Sequence, residues 1–266
     1  WPTQDLLRIA TNLTSSSVYG FVTPQTIGFY WFPWLTGYGG KIFTVPGTSP
    51  ITGDADVGLN TPEAAKSVLF MQSLDKVHHL MFSKPGEDPM LTDFLQGKAA
   101  MITTGPWNIP ADERAPIDYG IALYPVVSDT GLRARPTLGV KGFGIWKLSP
   151  VKDDAFDFLK FITNPTQQKI FALGTGGVPG TNDIPTYQAA FTDPDILANP
   201  VIARYLLQAT YSSEFPSRPE MSRVWGPVAD ALTFIYNNVN PADPANTASV
   251  QAAIAQLTTA ERQIYG

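Results

Sequence analysis

Residues 94–107 read FLQGKAAMITTGPW, and this stretch contains a helix end, a strand and a loop in close succession. A helix capped by Thr92 is predicted to end at Gly97, because glycine readily closes a helix C-terminus. The apolar run Ala99–Ile102 then predicts a short buried strand. Gly105-Pro106 ends that strand and leaves Trp107 on the loop that follows. A helix that leads directly into a buried strand is typical of a layered α/β fold.

Outward from this stretch, helices and short strands alternate over roughly the first two thirds of the chain, which predicts an α/β fold. Helix starts are indicated by Thr3, by Thr61-Pro62-Glu63, by Ser149-Pro150 and by Asn164-Pro165. Short strands are predicted at 18–22, 119–125 and 136–146. From about Asn199 onward only helices are predicted, near 201–209, 222–238 and 249–264. We expect this helical tail to pack back on the α/β part.

The composition excludes several classes of site and partner. The 266 residues include no cysteine, and 18 Lys and Arg stand against 23 Asp and Glu, a net charge of −5. Disulfides and cysteine-based metal sites are therefore excluded. An acidic chain without a basic run lacks the surface that binds a nucleic-acid backbone, so no nucleic-acid partner is expected. No apolar run approaches the roughly 18–20 residues that a membrane-spanning helix needs. Because the chain begins at Trp1, we expect a processed chain or a fragment.

The sequence carries no motif for nucleotide, zinc or serine-hydrolase chemistry. His78 and His79 are adjacent near a predicted helix end, and neighbouring helical residues point in different directions, so a surface role is predicted. The glycines of 174–177 follow a helix, whereas a phosphate-binding loop precedes one. A glycosidase needs two carboxylates that converge on one bond, and the sequence leaves that possibility open.

The aromatic residues carry the most functional information. The chain has 6 Trp, 10 Tyr and 15 Phe. A sugar ring has apolar C–H faces and a rim of hydroxyls, so a sugar site stacks aromatic rings on the faces and directs polar groups at the rim. Trp107, Trp31, Trp34 and Phe143 are predicted to lie where loops leave strands, as aromatics of ligand clefts do. The alternative is an ordinary place in the core, and for any one of them taken alone this alternative is the favoured interpretation.

Several short motifs, spread over most of the chain, occur in the same order as in a known protein family. The first is Phe94–Trp107, and the others are, from the N-terminus, Pro33-Trp34-Leu35 with Gly39-Gly40, 56–64, 118–121, 139–143, 158–162, 175–179, and Arg218-Pro219 with Met221-Ser222 before Trp225. In this order they resemble extracellular solute-binding proteins of the maltose/maltodextrin-binding group, the sugar receptors of ATP-driven importers. The chain is identified on these motifs as a member of that family.

The resemblance implies a type II periplasmic-binding-protein-like fold of two α/β lobes with the ligand between them. On this basis residues 1–138 and 200–266 form the C-terminal lobe, and residues 139–199 contribute to the N-terminal lobe. The first part of the N-terminal lobe has no counterpart in this chain. We therefore expect the helices that start at Ser149 and Pro165 to carry apolar faces without the sheet they would pack on, which leaves a large apolar patch exposed.

The family resemblance also implies a set of ligand-binding residues. Trp107 and Trp225 match tryptophans that stack on sugar rings, and either Phe29 or Tyr30 matches an aromatic at the mouth of the same lobe. Arg218 matches an arginine that binds the hydroxyl rim. The remaining matches lie on a glycine loop and on the crossing strand: Gly176, Gly177, Lys141 and Phe143. Relatives often carry Trp on that crossing strand, so the type of sugar is left open.

The function implied is non-catalytic binding of a maltose- or maltodextrin-type sugar and its delivery to the membrane permease subunits of an ABC importer. Such a receptor is exported to the periplasm or the cell surface and needs no cofactor or metal. The missing N-terminal lobe segment is a further expected partner. Two alternatives stand beside this hypothesis: a carbohydrate-active hydrolase with paired carboxylates, and an isolated lobe that binds no sugar by itself.

Overall fold

A computed structural model describes residues 1–45, 47, 50–83, 85–108, 117–241 and 247–265. The chain divides into two compact units. Unit 1 comprises Trp1–Thr103, Tyr124–Leu138 and Tyr211–Gly266, and unit 2 comprises Thr104–Leu123 and Gly139–Thr210. Residues 104–123 and 200–210, which the sequence assigned to the C-terminal lobe, pack within unit 2. The lobe boundaries themselves stay a prediction, because a compact unit need not coincide with a lobe of the complete family fold.

Helices dominate the described residues. In chain order they are α1 Thr3–Leu13, α2 Gly28–Gly37, α3 Pro62–Lys76, α4 Glu87–Leu95, α5 Lys152–Ile162, α6 Pro165–Leu173, α7 Pro194–Ala198, α8 Pro200–Ala209, α9 Trp225–Asn238 and α10 Thr247–Tyr265. Short 3₁₀ turns lie at Asp54–Asp56, Pro106–Asn108, Gln188–Thr192 and Pro219–Arg223. No helix among these residues is both long enough and apolar enough to cross a bilayer.

The strands are short. In unit 1, β1 (Thr137–Leu138) pairs in parallel with β4 (Ser213–Glu214). In unit 2, β2 (Gly174–Thr175) and β3 (Val178–Pro179) form an antiparallel hairpin. The predicted strands at 18–22 and 99–102 meet in parallel through single bridges, Tyr19 with Ala99 and Val22 with Ile102.

Two of the predicted helix starts are confirmed, at Thr61 and at Asn164, whereas Ser149 caps no helix because α5 begins only at Lys152, after Val151. The Thr61 hydroxyl accepts the amide of Ala64 at the start of α3, and the Asn164 side chain accepts the amide of Gln167 at the start of α6. Asn199 caps α8 in the same way, with Pro200 in the first helical position. A side-chain oxygen at the cap position accepts the unpaired amides of the first helical turn, and a proline at the first helical position has no amide that needs a partner. Both effects are local, so they do not depend on where the helix lies in the fold.

Other local predictions are wrong. Thr92 lies inside α4, which begins after Gly86 with Glu87 and Asp88 in its first turn, where acidic residues favour the positive end of the helix dipole. Pro2, not Thr3, occupies the cap position of α1, and the Thr3 hydroxyl bonds Ser128 instead, at 3.0 Å. Of the predicted strand at 136–146 only β1 forms, and no strand forms at 119–125 among the described residues.

The core of unit 1 is built around α2. Eight of its ten residues are buried, and Trp31, Phe32 and Trp34 are fully enclosed. The Trp31 indole N–H donates to the Ser67 hydroxyl of α3 at 2.8 Å, which satisfies its polar group inside the core. The prediction that Trp31 and Trp34 lie on a ligand-cleft loop is therefore wrong, since both are core residues of a helix.

The C-terminal helix closes unit 1 through one buried carboxylate. Glu261 of α10 is 1% exposed, and its Oε2 accepts the amides of Leu59 and Asn60 at 3.1 and 2.9 Å. These amides precede α3, so Glu261 ties the end of the chain to the turn that starts that helix. Unit 2 has a much smaller core, in which Ala172, Ile196, Ile202 and Leu206 are buried together.

Candidate functional site

An open concavity of about 440 Å³ lies on unit 1, in the segment that leads from β4 into α9. A volume of this size suits a small ligand of one or a few rings. Its functional groups are two aromatic rings, one guanidinium and two serine hydroxyls. The lining residues are Phe215, Pro216, Ser217, Arg218, Pro219, Met221, Ser222 and Trp225. Arg218 and Trp225, both predicted from the sequence as ligand-binding residues, thus line the same concavity.

Trp225 is the first residue of α9 and remains 37% exposed. Its ring stacks with that of Phe215, with centroids 6.0 Å apart and planes inclined by 20°. The core ring of Phe32 also contacts it, at 5.7 Å. The indole is therefore held by two aromatic neighbours while part of it faces solvent, which is the arrangement that an aromatic platform for a ligand requires.

The side chain of Arg218 is only 2% exposed, although the residue lines the concavity. Its guanidinium lies 4.6 Å from the centre of the Phe43 ring, and its Nε donates to Glu220 Oε2 at 3.2 Å. The pKa of Glu220 is held below its ordinary value, first by a hydrogen bond from its own backbone amide and then by Arg218. The Arg218 side chain is therefore packed beneath the surface of the concavity, where it contacts Phe43 and Glu220.

Asp56 lies close enough to Arg218 to interact with its charge. The pKa of Asp56 is lowered mainly because its carboxylate accepts the backbone amide and the hydroxyl of Thr52, with a smaller contribution from Arg218. Asp56, on the 3₁₀ turn Asp54–Asp56, is therefore a second acidic group that interacts with the Arg218 cation, more weakly than Glu220, which accepts its hydrogen bond.

Phe29 and Tyr30, the two alternatives for an aromatic at the mouth of the lobe, lie at the start of α2. Tyr30 is buried in the core at 3% exposure, whereas Phe29 is half-buried. Their rings meet edge to face at 5.6 Å. Of the two, only Phe29 offers surface to a ligand. Neither residue lines the concavity beside Trp225.

Trp107 belongs to unit 2 and is 49% exposed on the 3₁₀ turn Pro106–Asn108. Its ring lies against Gly105 so closely that a Cβ on that glycine would meet the ring at 2.0 Å. The turn is fixed by Asn108, whose side-chain amide donates to the Thr104 hydroxyl at 3.0 Å. Glycine at position 105 is therefore required for the position of the indole.

Gly176 and Gly177 form the two-residue tip of the β2–β3 hairpin, with φ values of +58° and +80°. Both values lie in the left-handed region that glycine adopts without strain, as a tight hairpin requires. The other two predicted residues of unit 2 also lie on its surface. Lys141 Nζ pairs with Asp183 Oδ1 at 3.1 Å, and Phe143 is 69% exposed.

Of the residues that line the concavity, the sequence analysis predicted only Arg218 and Trp225 as ligand-binding residues, and Phe215 is the most informative residue that it missed. The signal was available, because an aromatic followed by proline stands shortly before the Arg218-Pro219 motif. The described residues contain no group of three or more His, Asp or Glu side chains that could hold a metal ion. His78 and His79 are exposed beyond the end of α3, in agreement with the predicted surface role.

Comparison with known proteins gives one family match. Residues 3–169 match the model of the bacterial extracellular solute-binding protein family. Over 231 residues the chain is 27% identical to the galactooligosaccharide-binding protein of Bacillus subtilis (strain 168), covering 86% of this chain and 52% of the relative. Over 189 residues it is 30% identical to the maltotriose-binding protein of Pyrococcus abyssi (strain GE5 / Orsay), and the match covers 70% of this chain and 40% of that relative.

Among solved structures, the chain is similar to a cyclo/maltodextrin-binding protein complexed with maltotetraose. The identity is 25% and the TM-score 0.75, and the match covers 96% of this chain and 63% of that chain. The chain therefore spans about half the length of the curated relatives it matches, and less than two thirds of this structure.

Proposed function

Because this chain belongs to the bacterial extracellular solute-binding proteins, we propose that it takes part in binding a maltooligosaccharide and delivering it to an ABC importer. The two relatives compared above are named as binding proteins, for maltotriose and for galactooligosaccharide. The proposal is a non-catalytic receptor, in which the sugar is held and released unchanged. It concerns the protein in which these residues occur, since they span only part of the relatives.

The observation that carries this proposal is the partly exposed Trp225 in the concavity of unit 1. The indole is stacked with Phe215 and lies in a wall that also contains Ser217 and Ser222. Aromatic rings receive the apolar faces of a sugar, and hydroxyl groups bond its rim. Because Arg218 is enclosed by Phe43 and Glu220, its proposed role is to hold this wall in place.

The other proposed contacts are on the surfaces of the two units. Phe29 supplies an additional aromatic surface on unit 1, and Trp107 a stacking surface on unit 2. The backbone of Gly176 and Gly177 is proposed to meet sugar hydroxyls, and Lys141 and Phe143 complete the set. Each of these is a proposal that follows from the family resemblance and from the exposure of the residue.

The proposed partners follow from the same receptor role. The sugar-loaded protein docks on the membrane permease subunits of an ABC importer, so it acts in the periplasm or at the cell surface. No catalytic step, cofactor or metal is part of this proposal.

The test is a calorimetric titration of the product of the complete reading frame that contains these residues. Maltotriose, maltotetraose and a galactooligosaccharide are titrated separately, and we expect the two maltooligosaccharides to bind more tightly. Binding of the galactooligosaccharide alone would contradict the proposed sugar class, and binding of none would contradict the receptor role. Prolonged incubation with maltodextrin should release no reducing ends, whereas steady release would establish the hydrolase alternative.

A further inference from the structure

The turn that carries Trp107 has few internal means of fixing its own position. Gly105 has no side chain, and Pro106 has no backbone N–H to donate. Within the turn, the Asn108 side chain donates to the Thr104 hydroxyl at 3.0 Å, and the indole lies against Gly105. These contacts define the shape of the turn. They do not connect it to the rest of unit 2, so its position depends on contacts from another segment.

One such contact comes from α8. The Tyr205 hydroxyl donates to the backbone carbonyl of Thr104 at 3.1 Å, a hydrogen bond between residues that are 101 positions apart in sequence. Thr104 directly precedes Gly105, so this bond acts on the backbone that enters the turn. Helix α8 and the turn Pro106–Asn108 also contact each other. Tyr205 therefore connects the turn to a helix that is distant in sequence.

Helix α8 is a well-anchored support for this contact. The Asn199 side chain caps its start, and Ile202 and Leu206 are buried in the core of unit 2. Tyr205 follows Ile202 by three positions, so the two side chains lie on neighbouring parts of the same helix face. Burial raises the pKa of the Tyr205 phenol, with a contribution from Tyr119. The hydroxyl therefore keeps its proton at neutral pH and remains a hydrogen-bond donor.

We propose that Tyr205 is a positioning residue for sugar binding, because its hydroxyl holds the Thr104 carbonyl and thereby places the indole of Trp107. Tyr205 acts through the turn and makes no contact with the sugar. Since Trp107 is the residue proposed to stack on the sugar, this inference rests on the proposed function. An indole that is held in place before the ligand arrives loses less conformational freedom on binding, so removal of the hydroxyl should weaken affinity.

The first test uses the conservative variant Tyr205→Phe, which removes the hydroxyl and retains the ring. The complete product is labelled with fluorinated tryptophan, and the fluorine resonance of Trp107 is identified as the signal that Trp107→Phe abolishes. In the absence of sugar, Tyr205→Phe should shift or broaden this signal. An unchanged Trp107 signal would overturn the proposal.

Tyr187→Phe is the matched control for this experiment. Tyr187 also belongs to unit 2, but its hydroxyl donates to Asp193 Oδ2, at 3.3 Å. The control therefore removes one tyrosine hydroxyl and its hydrogen bond without touching Thr104. It should leave the Trp107 signal unchanged, and an equal shift in both variants would overturn the proposal.

The second test is a double-mutant cycle on maltotriose affinity, measured by calorimetry. Tyr205→Phe alone should weaken binding roughly three- to tenfold, the range of one lost hydrogen bond. In the Trp107→Ala background it should have little further effect, because the indole that Tyr205 places is no longer present. Additive losses would overturn the proposal, since they would show that Tyr205 acts independently of Trp107. Melting temperatures of the parent, the single variants and the double variant check that each protein is folded.

The two experiments separate this inference from the proposed function. If the complete product binds no sugar, the receptor role is contradicted, but the fluorine signal still reports whether Tyr205 places the indole. A shifted signal would then support the positioning contact, and an unchanged signal would overturn it.

Discussion

The ring of Phe215 stacks with the ring of Trp225 at a centroid distance of 6.0 Å, with the two planes 20° apart. Phe215 stands on the segment that follows β4, and Trp225 begins α9. Their contact joins the two ends of the segment that lines the concavity. The exposed part of the indole therefore has a position that does not depend on a ligand, which lowers the entropic cost of stacking a sugar on it.

Substitution of Trp225 by Ala in the complete product should weaken maltotriose binding by roughly 1–3 kcal/mol, which is the value of a well-packed aromatic contact. Phe215→Ala should weaken binding by a smaller amount, because it removes the ring that holds the indole but leaves the indole itself. Trp1→Ala is the matched control, since Trp1 is a similarly exposed tryptophan of unit 1 that does not line the concavity. Calorimetry measures affinity and thermal unfolding measures stability. Unchanged affinity with a large fall in melting temperature would assign Trp225 to the core alone.

Gly105→Ala should displace the indole of Trp107, because the added methyl group would lie 2.0 Å from its ring. We expect a shift in tryptophan emission and, if Trp107 stacks on sugar, a loss of affinity of about tenfold, equivalent to about 1.4 kcal/mol. Gly120→Ala is the matched control in the same segment of unit 2, since a Cβ there meets nothing within 4 Å. Identical emission spectra for the two variants would contradict this prediction.

Glu261→Ala should destabilise unit 1 by roughly 1–3 kcal/mol, because it leaves the buried amide of Leu59 and the partly buried amide of Asn60 without their acceptor. Glu261→Gln retains an acceptor oxygen and should cost less. Urea unfolding followed by circular dichroism measures both variants. Equal stability of the Ala variant and the parent chain would show that these hydrogen bonds contribute little.

Arg218→Ala should lower the free energy of unfolding by roughly 1–3 kcal/mol, through lost packing on Phe43 as well as the lost ion pair. Arg218→Lys should lower the free energy of unfolding by a smaller amount, because an ammonium group keeps the charge but cannot reproduce the planar contact with the ring. Sugar affinity of the complete product should fall with both variants if Arg218 holds the wall. A fall in affinity with unchanged stability would indicate direct contact with the sugar instead.

The stability of unit 2 should fall in acid because of Asp193. Lys169 Nζ lies 2.9 Å from both oxygens of this carboxylate and lowers its pKa below the ordinary value. A lowered carboxylate pKa stabilises the fold at pH values above the unfolded-state pKa, near 4, and this contribution is lost as the pH falls through the folded-state pKa. The urea midpoint should therefore decrease below about pH 4, and less steeply in Asp193→Asn.

The control for this pH series is Asp157→Asn. Asp157 pairs with Lys160 on the exposed surface of α5, where an ion pair contributes little. The control variant should retain the acid dependence of the parent chain. A parallel acid dependence in Asp193→Asn would show that other carboxylates are responsible.

The family and its α/β fold of the solute-binding type, present in part, could be identified from the order of motifs along the chain, and both are confirmed by the comparisons. The exposure expected for the apolar faces of α5 and α6 was also correct. The predictions failed mainly in the aromatic stretch 29–35. Trp31 and Trp34 were expected where a loop leaves a strand, but they lie on α2, which incorporates Pro33 and is enclosed by the tertiary core on most sides.

The sequence by itself determined the features that depend on near neighbours: the capped starts of α3 and α6, and the motifs that identify the family. These depend on backbone groups within a few residues. Only the tertiary structure decided which aromatic rings are buried and which are exposed. Trp31 and Trp225 are the same residue type, yet one bonds Ser67 inside the core and the other faces a concavity with Phe215 beside it. Burial is set by segments distant in sequence, so the pattern around each tryptophan could not distinguish them.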